Sequence, residues 1–223
     1  MPVAAVLFDL DGTLLDTAPD LARALNRVRA TYGHGPLPYA AVREQVSNGS
    51  YALTRLGFDF AEDSPEFATA RCALLARYRE HLAEATVLFP GMQQLLAACA
   101  PSGLRWGIVT NKPGWLTDPL LAQLALAVPP GCVVSGDTLA QRKPHPAPLL
   151  HAAQLLGCEP AVCVYIGDAE SDIAAGRSAG MYTLAASYGY LSPGADPHTW
   201  LADAVVDSPA AIAAWLAQHR GEA

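Results

Sequence analysis

The sequence predicts an α/β fold in which a parallel sheet forms the core and an α-helical cap domain is inserted after the first strand. Three observations lead to this prediction. An apolar, β-branched run over residues 3–8 ends at Asp9. From residue 91 onwards, short apolar runs alternate with patterns of helical period. Between these two regions, residues 16–85 contain helical patterns and no convincing strand.

Length and composition indicate a protein with a substantial core. The chain has 223 residues, enough for one large domain or one domain with an insertion, at ~150 residues per domain. Hydrophobic residues make up 52% and charged residues 16%, which argues against disorder. The formal net charge of −7 argues against broad nucleic-acid binding. Lysine occurs only at Lys112 and Lys143, and the other cationic residues are arginines.

Cysteine usage and hydropathy predict a cytoplasmic protein. The five cysteines are scattered and form no Cys-x-x-Cys pair, which favours reduced, mostly buried thiols in a reducing compartment. The N-terminus has no basic region of the kind that opens a secretion signal. No apolar run approaches the ~20 residues of a membrane span. We therefore expect no membrane or nucleic-acid partner, and a monomer or homodimer.

The stretch Asp9-Leu10-Asp11-Gly12-Thr13 follows the first predicted strand directly. In open α/β sheets, ligands bind outside the carboxyl ends of the strands. Two carboxylates, Asp9 and Asp11, therefore lie next to a turn-forming glycine where chemistry is expected. An isolated Asp-x-Asp is more often a polar turn before a helix cap, so the functional interpretation depends on compatible signals downstream.

Helix-start signals recur within residues 16–85. Residues 16–20 combine capping side chains, an early proline and an acidic first turn. A second helix is predicted over residues 38–46, and Ser64-Pro65-Glu66 repeats the start pattern before a long helix. We assign residues 16–85 to the helical cap domain, and residues 1–15 and 86–223 to the core.

A polar turn, Ser47-Asn48-Gly49, separates two of the predicted cap helices. A flexible polar turn in this position can face the active site of the core. We therefore predict that Ser47, Asn48 and Gly49 form the substrate loop of the cap.

Strands and helices alternate in the rest of the core. The predicted elements are helix 92–99, strand 105–109, helix 116–126, strand 132–134, helix 146–156, strand 162–166, helix 172–179, strand 182–185, edge strand 204–206 and helix 210–218. This alternation is typical of βαβ units in a parallel sheet.

Polar residues at four strand ends or adjoining loops suit one reaction. They are Asp9 and Asp11, Thr110 and Asn111, Lys143, and Asp168 with Asp172. Each has an ordinary structural explanation when taken singly: Thr110 as a helix cap, Lys143 as a surface lysine, and residues 168–172 as an acidic helix N-terminus. Their order and spacing together favour a single site.

These four motifs resemble the signature of the haloacid dehalogenase-like superfamily, and the match spans nearly the whole chain. The resemblance implies a Rossmann-like core and a phosphomonoesterase that forms an aspartyl-phosphate intermediate. Within the superfamily, residues 109–113 and 143–146 resemble those of phosphoglycolate phosphatases. Residues 188–200 also resemble those of the closely similar N-acetylmuramic acid 6-phosphate phosphatases. Both substrate assignments stay open.

The resemblance also implies a role for each motif residue. Asp9 is the nucleophile, and Asp11 is the general acid and base, with its backbone carbonyl at the metal. Asp168 is a metal ligand, and Asp172 supports the metal site. Lys143 neutralises the nucleophile and the phosphate. The phosphoryl group is held by Thr110 and the Asn111 amide, and Thr13 belongs to the same substrate-binding set.

The chemistry is consistent with these roles. Phosphoryl transfer needs an in-line nucleophile and charge stabilisation on the phosphoryl oxygens, and a carboxylate can serve as that nucleophile. A carboxylate attacking a phosphate dianion is repelled unless cations offset the charge. We expect Mg²⁺ as the cofactor, because one nearby lysine does not balance three carboxylates and a phosphate. The expected partner is a small phosphorylated metabolite.

The presence or absence of single residues argues for or against the other activities of the superfamily. A dehalogenase does not need Asp11, because halide leaves without a proton. A phosphonatase uses a cap lysine, and residues 16–85 contain none. A sugar phosphomutase stays possible, since it shares the core machinery. A non-catalytic phosphate-binding module is disfavoured because both Asp9 and Asp11 are present.

Overall fold

The computed structural model of the protein describes residues 2–124 and 126–219. Its strands are β1 (Ala5–Phe8), β2 (Leu15–Asp16), β3 (Val87–Leu88), β4 (Arg105–Val109), β5 (Cys132–Val134), β6 (Cys163–Gly167), β7 (Tyr182–Ala186) and β8 (Ala204–Val206). Six of them form one sheet in the order β5-β4-β1-β6-β7-β8, with every pair parallel. The predicted parallel sheet is confirmed, and β8 lies at its edge as expected.

Strand β1 lies in the middle of the sheet and is buried on both faces. Val6 and Phe8 belong to one hydrophobic cluster, whereas Ala5 and Leu7 belong to a second cluster on the other face. All four side chains have no exposed surface. This double burial explains why the strand is a continuous apolar run rather than an alternating one.

The helices of the described chain are α1 (Ala18–Thr31), α2 (Tyr39–Arg43), α3 (Gly49–Gly57), α4 (Pro65–Glu80), α5 (Met92–Cys99), α6 (Gly114–Leu124), α7 (Ala147–Leu156), α8 (Glu170–Ser178) and α9 (Pro209–Gln218). The core helices and strands begin and end close to the predicted residues. Helix α6 is shifted towards the N-terminus relative to the prediction over residues 116–126.

The four helices α1–α4 lie between β2 and β3, which pair with each other in an antiparallel two-stranded sheet. Leu15 pairs with Leu88, and Asp16 pairs with Val87. The chain therefore enters and leaves the helical block side by side. The sequence did not predict β2 and β3, because strands of two residues carry no periodic signal. The division into a cap over residues 16–85 and a core stays our proposal.

Two predicted details of the helical block are wrong, and one is confirmed. Helix α1 begins at Ala18, and Thr17 does not cap it with its side chain. The predicted helix over residues 38–46 is shortened to α2, and residues 46–48 form a 3-10 turn instead. Ser64 caps α4 as predicted, since its hydroxyl accepts a hydrogen bond from the Phe67 amide at 3.1 Å.

Two further expectations concern membrane spans and cysteines. Within residues 2–124 and 126–219, no helix combines the length and the apolar character needed to cross a bilayer. Cys99, Cys132 and Cys163 are buried, in agreement with the prediction of mostly buried thiols, whereas Cys72 is exposed.

Candidate active site

Polar residues converge at the carboxyl edge of the sheet because β1 lies between β4 and β6. Asp9 follows β1, Thr110 and Asn111 follow β4, and Asp168 follows β6. Neighbouring parallel strands end on the same edge, so these side chains meet. Lys143 reaches the same edge from the segment between β5 and α7.

A cavity of about 720 Å³ opens above this edge. The predicted residues that line it are Asp9, Asp11, Ser47, Asn48, Gly49, Thr110, Asn111, Lys143 and Asp172. Thr13 and Asp168 are not lining residues but are buried. The helical block and the sheet edge therefore contribute walls to one cavity.

The ammonium group of Lys143 lies at the centre of the charged groups. It donates to Asp9 Oδ1 at 2.8 Å and to Asp172 Oδ1 at 2.7 Å. It also contacts the Val109 carbonyl oxygen at 3.0 Å and the Tyr165 hydroxyl at 2.6 Å. Burial opposes the charge of Lys143, but Asp172 and Asp9 outweigh that effect and raise its pKa. Lys143 is thus a fixed positive charge beside Asp9.

Asn111 fixes the backbone of Lys143. Its side-chain Nδ2 donates to the Lys143 carbonyl oxygen at 3.0 Å, and its Oδ1 accepts from the Lys143 amide at 3.1 Å. Sequence reasoning gave a phosphate-binding role to the Asn111 amide and did not foresee this function of its side chain. The two motifs are thus joined by a reciprocal pair of hydrogen bonds.

Three backbone amides at the sheet edge are available to an anion. The amides of Leu10, Asp11 and Asn111 donate no hydrogen bond to any group within residues 2–124 and 126–219. Adjacent backbone amides of this kind form anion-binding concavities. Thr110 lies beside them, and its hydroxyl oxygen accepts a hydrogen bond from the Lys112 amide at 3.1 Å.

Three buried carboxylates form a cluster next to Lys143. Ligand oxygens of Asp9, Asp168 and Asp172 lie within 4.8 Å of one another. Burial raises the pKa of Asp9 to about 8; Lys143 opposes the rise, and Asp172 and Asp168 add to it. Burial, followed by repulsion from Asp172, raises the pKa of Asp168 to about 6. The raised values reflect that ionising all three carboxylates would leave more negative charge than the one central ammonium neutralises.

An all-oxygen donor set with excess negative charge fits a hard divalent cation. Asp9 Oδ2 accepts no hydrogen bond from the described residues, so the Asp9 carboxylate stays open to a further partner. Both oxygens of Asp172 are engaged, Oδ1 by Lys143 and Oδ2 by the Ala169 amide at 3.1 Å. Asp172 is therefore better suited to support the site than to bind an ion directly.

Asp168 is held from three directions. Its carboxylate accepts hydrogen bonds from Thr13 Oγ1 at 3.3 Å, the Tyr190 amide at 2.8 Å and Ser47 Oγ at 2.7 Å. Gly12 is required beside it, since a Cβ at this position would lie 2.1 Å from Asp168 Oδ2. The Ser47 contact links the helical block directly to the acidic cluster.

Asp11 lies in a separate network. Its carboxylate accepts a hydrogen bond from Thr17 Oγ1 at 2.6 Å and pairs with Lys112 Nζ at 3.0 Å. Lys112 also donates to the Tyr78 hydroxyl at 3.1 Å. The Asp11 side chain therefore does not belong to the acidic cluster of Asp9, Asp168 and Asp172.

The expectation of a single nearby lysine is wrong, because Lys112 is buried in the site as well. Burial opposes the charge of Lys112, but Asp11 and Tyr78 outweigh that effect and raise its pKa. The sequence carried a signal for it: one of only two lysines follows Asn111 directly. Sequence reasoning also missed Tyr78 and Arg71, which line the cavity, and Tyr165, whose hydroxyl contacts Lys143.

Comparison with known proteins identifies the family. A family model described as haloacid dehalogenase-like hydrolase matches residues 6–186. The chain belongs to this family. All four motifs fall within the matched residues.

Several relatives and solved structures in this hydrolase family are similar along nearly their whole length. An N-acetylmuramic acid 6-phosphate phosphatase of Pseudomonas aeruginosa is 43% identical over 209 residues, covering 94% of this chain and 92% of the relative. A phosphoglycolate phosphatase of Xanthomonas campestris pv. campestris is 43% identical over 218 residues, covering 95% and 96%. The crystal structure of a predicted phosphoglycolate phosphatase from Haemophilus somnus 129pt superposes with a TM-score of 0.84 at 27% identity, covering 96% and 97%.

The two curated relatives carry different substrates in their names at the same percentage identity. Overall similarity to haloacid dehalogenase-like hydrolases therefore does not choose between the substrates. The choice depends on the cavity of this chain.

Proposed function

We propose that the chain is a Mg²⁺-dependent phosphomonoesterase that works through an aspartyl-phosphate on Asp9. One observation carries the proposal: Asp9 lines the cavity with one oxygen fixed by Lys143 at 2.8 Å and the other without a hydrogen-bond partner in the described chain. A carboxylate oriented in this way is suited to in-line attack. The test of this proposal is the release of inorganic phosphate from a generic phosphate ester. A non-catalytic binding module would release none, and a phosphomutase would transfer the phosphoryl group to another hydroxyl instead.

The two chemical steps use the groups around Asp9. The Asp9 oxygen attacks phosphorus as the bond from phosphorus to the alkoxide breaks, and Asp11, which takes up a proton from solvent before this step, gives that proton to the leaving oxygen. Asp11 then takes a proton from water as the water oxygen attacks phosphorus and releases Asp9. Lys143 and the free amides of Leu10, Asp11 and Asn111 are suited to hold the phosphoryl oxygens throughout.

The acidic cluster is where this chain is suited to hold the metal. The proposed carboxylate ligands are Asp168 and the Asp9 oxygen that does not attack phosphorus, with Asp172 as support and the Asp11 carbonyl completing the set. Bound Mg²⁺ would supply charge stabilisation for the transferring phosphoryl group. The two lysines are already paired with Asp9, Asp11 and Asp172, so the incoming phosphate needs a further cation.

Metal binding is expected to stabilise the protein in a pH-dependent way. Without metal, the raised pKa values of Asp9 (about 8) and Asp168 (about 6) mean that stability falls as the pH rises through those values. Mg²⁺ binds the ionised carboxylates, so its stabilisation grows over the same range. At a hundredfold excess over the Kd we expect about 2.7 kcal/mol, or a Tm rise of about 5–10 °C at high pH.

Thermal unfolding with and without Mg²⁺ at pH 5.5 and pH 8.5 checks this, with Asp168→Asn as the variant that should lose the response. Turnover should also stop after exhaustive chelation and return with added Mg²⁺. Undiminished turnover after chelation would remove the metal from the proposal.

Phosphoglycolate and N-acetylmuramic acid 6-phosphate are the two substrates that we propose. A cavity of about 720 Å³ favours the second, because a two-carbon acid fills little of it. Both are phosphate esters that also carry a carboxylate. Comparison of kcat/KM for the two compounds on the purified protein decides between them.

We test the role of the cap in substrate choice with a substitution at Asn48. Asn48 lines the cavity, and its Nδ2 donates to Ser192 Oγ at 2.9 Å. Asn48→Ala should change the ratio of kcat/KM between the two candidate substrates by about fivefold, the value of one hydrogen bond, and leave a tiny phosphate ester unaffected. Ser47 is less suitable because it contacts Asp168.

Ser192→Ala is the matched control, since it removes the same hydrogen bond from the other side and keeps Asn48. Equal losses on every ester, including the tiny one, would contradict a role of this loop in substrate choice.

A further inference from the structure

We propose that Arg71 binds the carboxylate of the substrate and is therefore a specificity-determining residue. The inference rests on the proposed phosphatase function and deepens it. Arg71 lies on α4 and lines the same cavity as Asp9.

The arginines are the cationic residues of the cavity wall that are available to pair with a second anionic group. Four cationic side chains line the cavity: Arg71, Lys112, Arg142 and Lys143. The two lysines are already paired with carboxylates at 2.7–3.0 Å. Neither arginine forms an ion pair with a described residue. A second anionic group on a substrate would therefore find its counter-charge at an arginine.

Arg71 is held in place, whereas Arg142 is not. The Arg71 Nε donates to Ser50 Oγ at 2.9 Å, and the guanidinium carbon lies 5.6 Å from the centre of the Tyr51 ring. Arg71 is half-buried, but Arg142 is exposed, and its side chain has no hydrogen-bond partner among residues 2–124 and 126–219. An arginine fixed before binding loses less entropy when it takes a ligand.

The geometry of the Arg71 guanidinium suits a carboxylate. Its Nε is used by Ser50, and its two terminal nitrogens donate to no described residue. Those nitrogens provide paired N–H groups of the kind that bind a carboxylate bidentately.

Helix α4 presents Arg71 to the leaving-group side of the reaction. Arg71, Leu75 and Tyr78 are spaced by four and three residues, lie on one face of α4 and all line the cavity. The phosphoryl group already has Lys143 and the free amides at the sheet edge. An anion on the α4 wall therefore belongs to the part of the substrate that leaves.

The experiment compares esters with and without the group that carries the carboxylate. One pair is phosphoglycolate and 2-hydroxyethyl phosphate; the other is N-acetylmuramic acid 6-phosphate and N-acetylglucosamine 6-phosphate. Arg71→Gln should lower kcat/KM for the preferred acid by about 10- to 100-fold, as expected for hydrogen bonds to a charged group. The matched ester without a carboxylate should change less than about threefold.

Two further variants make the result specific. Arg71→Lys keeps the charge but not the bidentate geometry, so it should recover only part of the discrimination. Arg142→Gln should leave the ratio unchanged. Thermal unfolding and turnover of p-nitrophenyl phosphate establish that each variant is folded and active; if Arg71→Gln does not fold, the ratio measured with Arg71→Lys decides.

Equal losses on both members of a pair, or a carboxylate-specific loss in Arg142→Gln instead, would overturn the assignment of Arg71 while leaving the phosphatase intact. A wild-type protein that releases no phosphate from any of these esters would instead refute the proposed function itself, and the Arg71 assignment with it.

Discussion

Asp9→Asn is expected to abolish turnover, with a loss on the order of 10⁵-fold or more, as for the loss of a covalent nucleophile in other hydrolases. The asparagine side chain has the same shape, but its amide does not attack phosphorus. Lys143 also loses the carboxylate that it contacts at 2.8 Å. The measurements are kcat on an aryl and an alkyl phosphate, and mass spectrometry of the quenched protein for a phosphoryl adduct. No adduct should form with this variant.

The stability of Asp9→Asn separates this chemical loss from unfolding. Burial raises the pKa of Asp9 to about 8, so at neutral pH the metal-free fold has to take up a proton at Asp9 that the unfolded chain does not carry, which lowers its stability. Asp9→Asn removes the titrating group and that cost, and its metal-free Tm at neutral pH should equal or exceed that of the wild type. A variant that is folded and retains substantial activity would show that the nucleophile is another residue.

Asp11→Asn should show a loss that depends on the leaving group. General acid catalysis typically contributes about 10²–10⁴-fold, and an alkyl alkoxide needs that proton because it is a poor leaving group. The loss should approach this size for an alkyl phosphate. It should shrink for an activated phenyl ester, whose phenolate leaves without protonation. Asp9→Asn should show no such difference between the two esters.

The comparison of two esters is needed because Asp11 also pairs with Lys112 at 3.0 Å. Its removal leaves a buried ammonium without its carboxylate, which lowers activity on both esters alike. Lys112→Gln breaks the same ion pair but keeps Asp11. It therefore measures the part of the activity loss that is the same for both esters. If Asp11→Asn damages both esters equally, Asp11 serves structure or metal binding rather than proton transfer.

The sequence by itself determined the sheet and the grouping of its strand ends. Doubly buried strands such as β1 and β6 are continuous apolar runs, and alternation with helices makes their connections parallel. Parallel neighbours end on one edge, so Asp9, Thr110 and Asp168 had to be near one another once the strands were recognised. Local pattern was sufficient because each group directly follows its own strand.

Only the tertiary structure decided the partners of these groups. Asp11 and Lys112 are 101 residues apart in sequence, and Ser47 and Asp168 are 121 residues apart. Tyr165 lies within β6 and is apolar in pattern, yet its hydroxyl contacts Lys143. Such contacts depend on how helices and loops pack over the sheet edge. A hydrogen bond of this kind leaves no periodicity in either of the two segments that it joins. The counter-charges of the lysines, and the absence of an ion pair at Arg71 among the described residues, were therefore visible only in the folded chain.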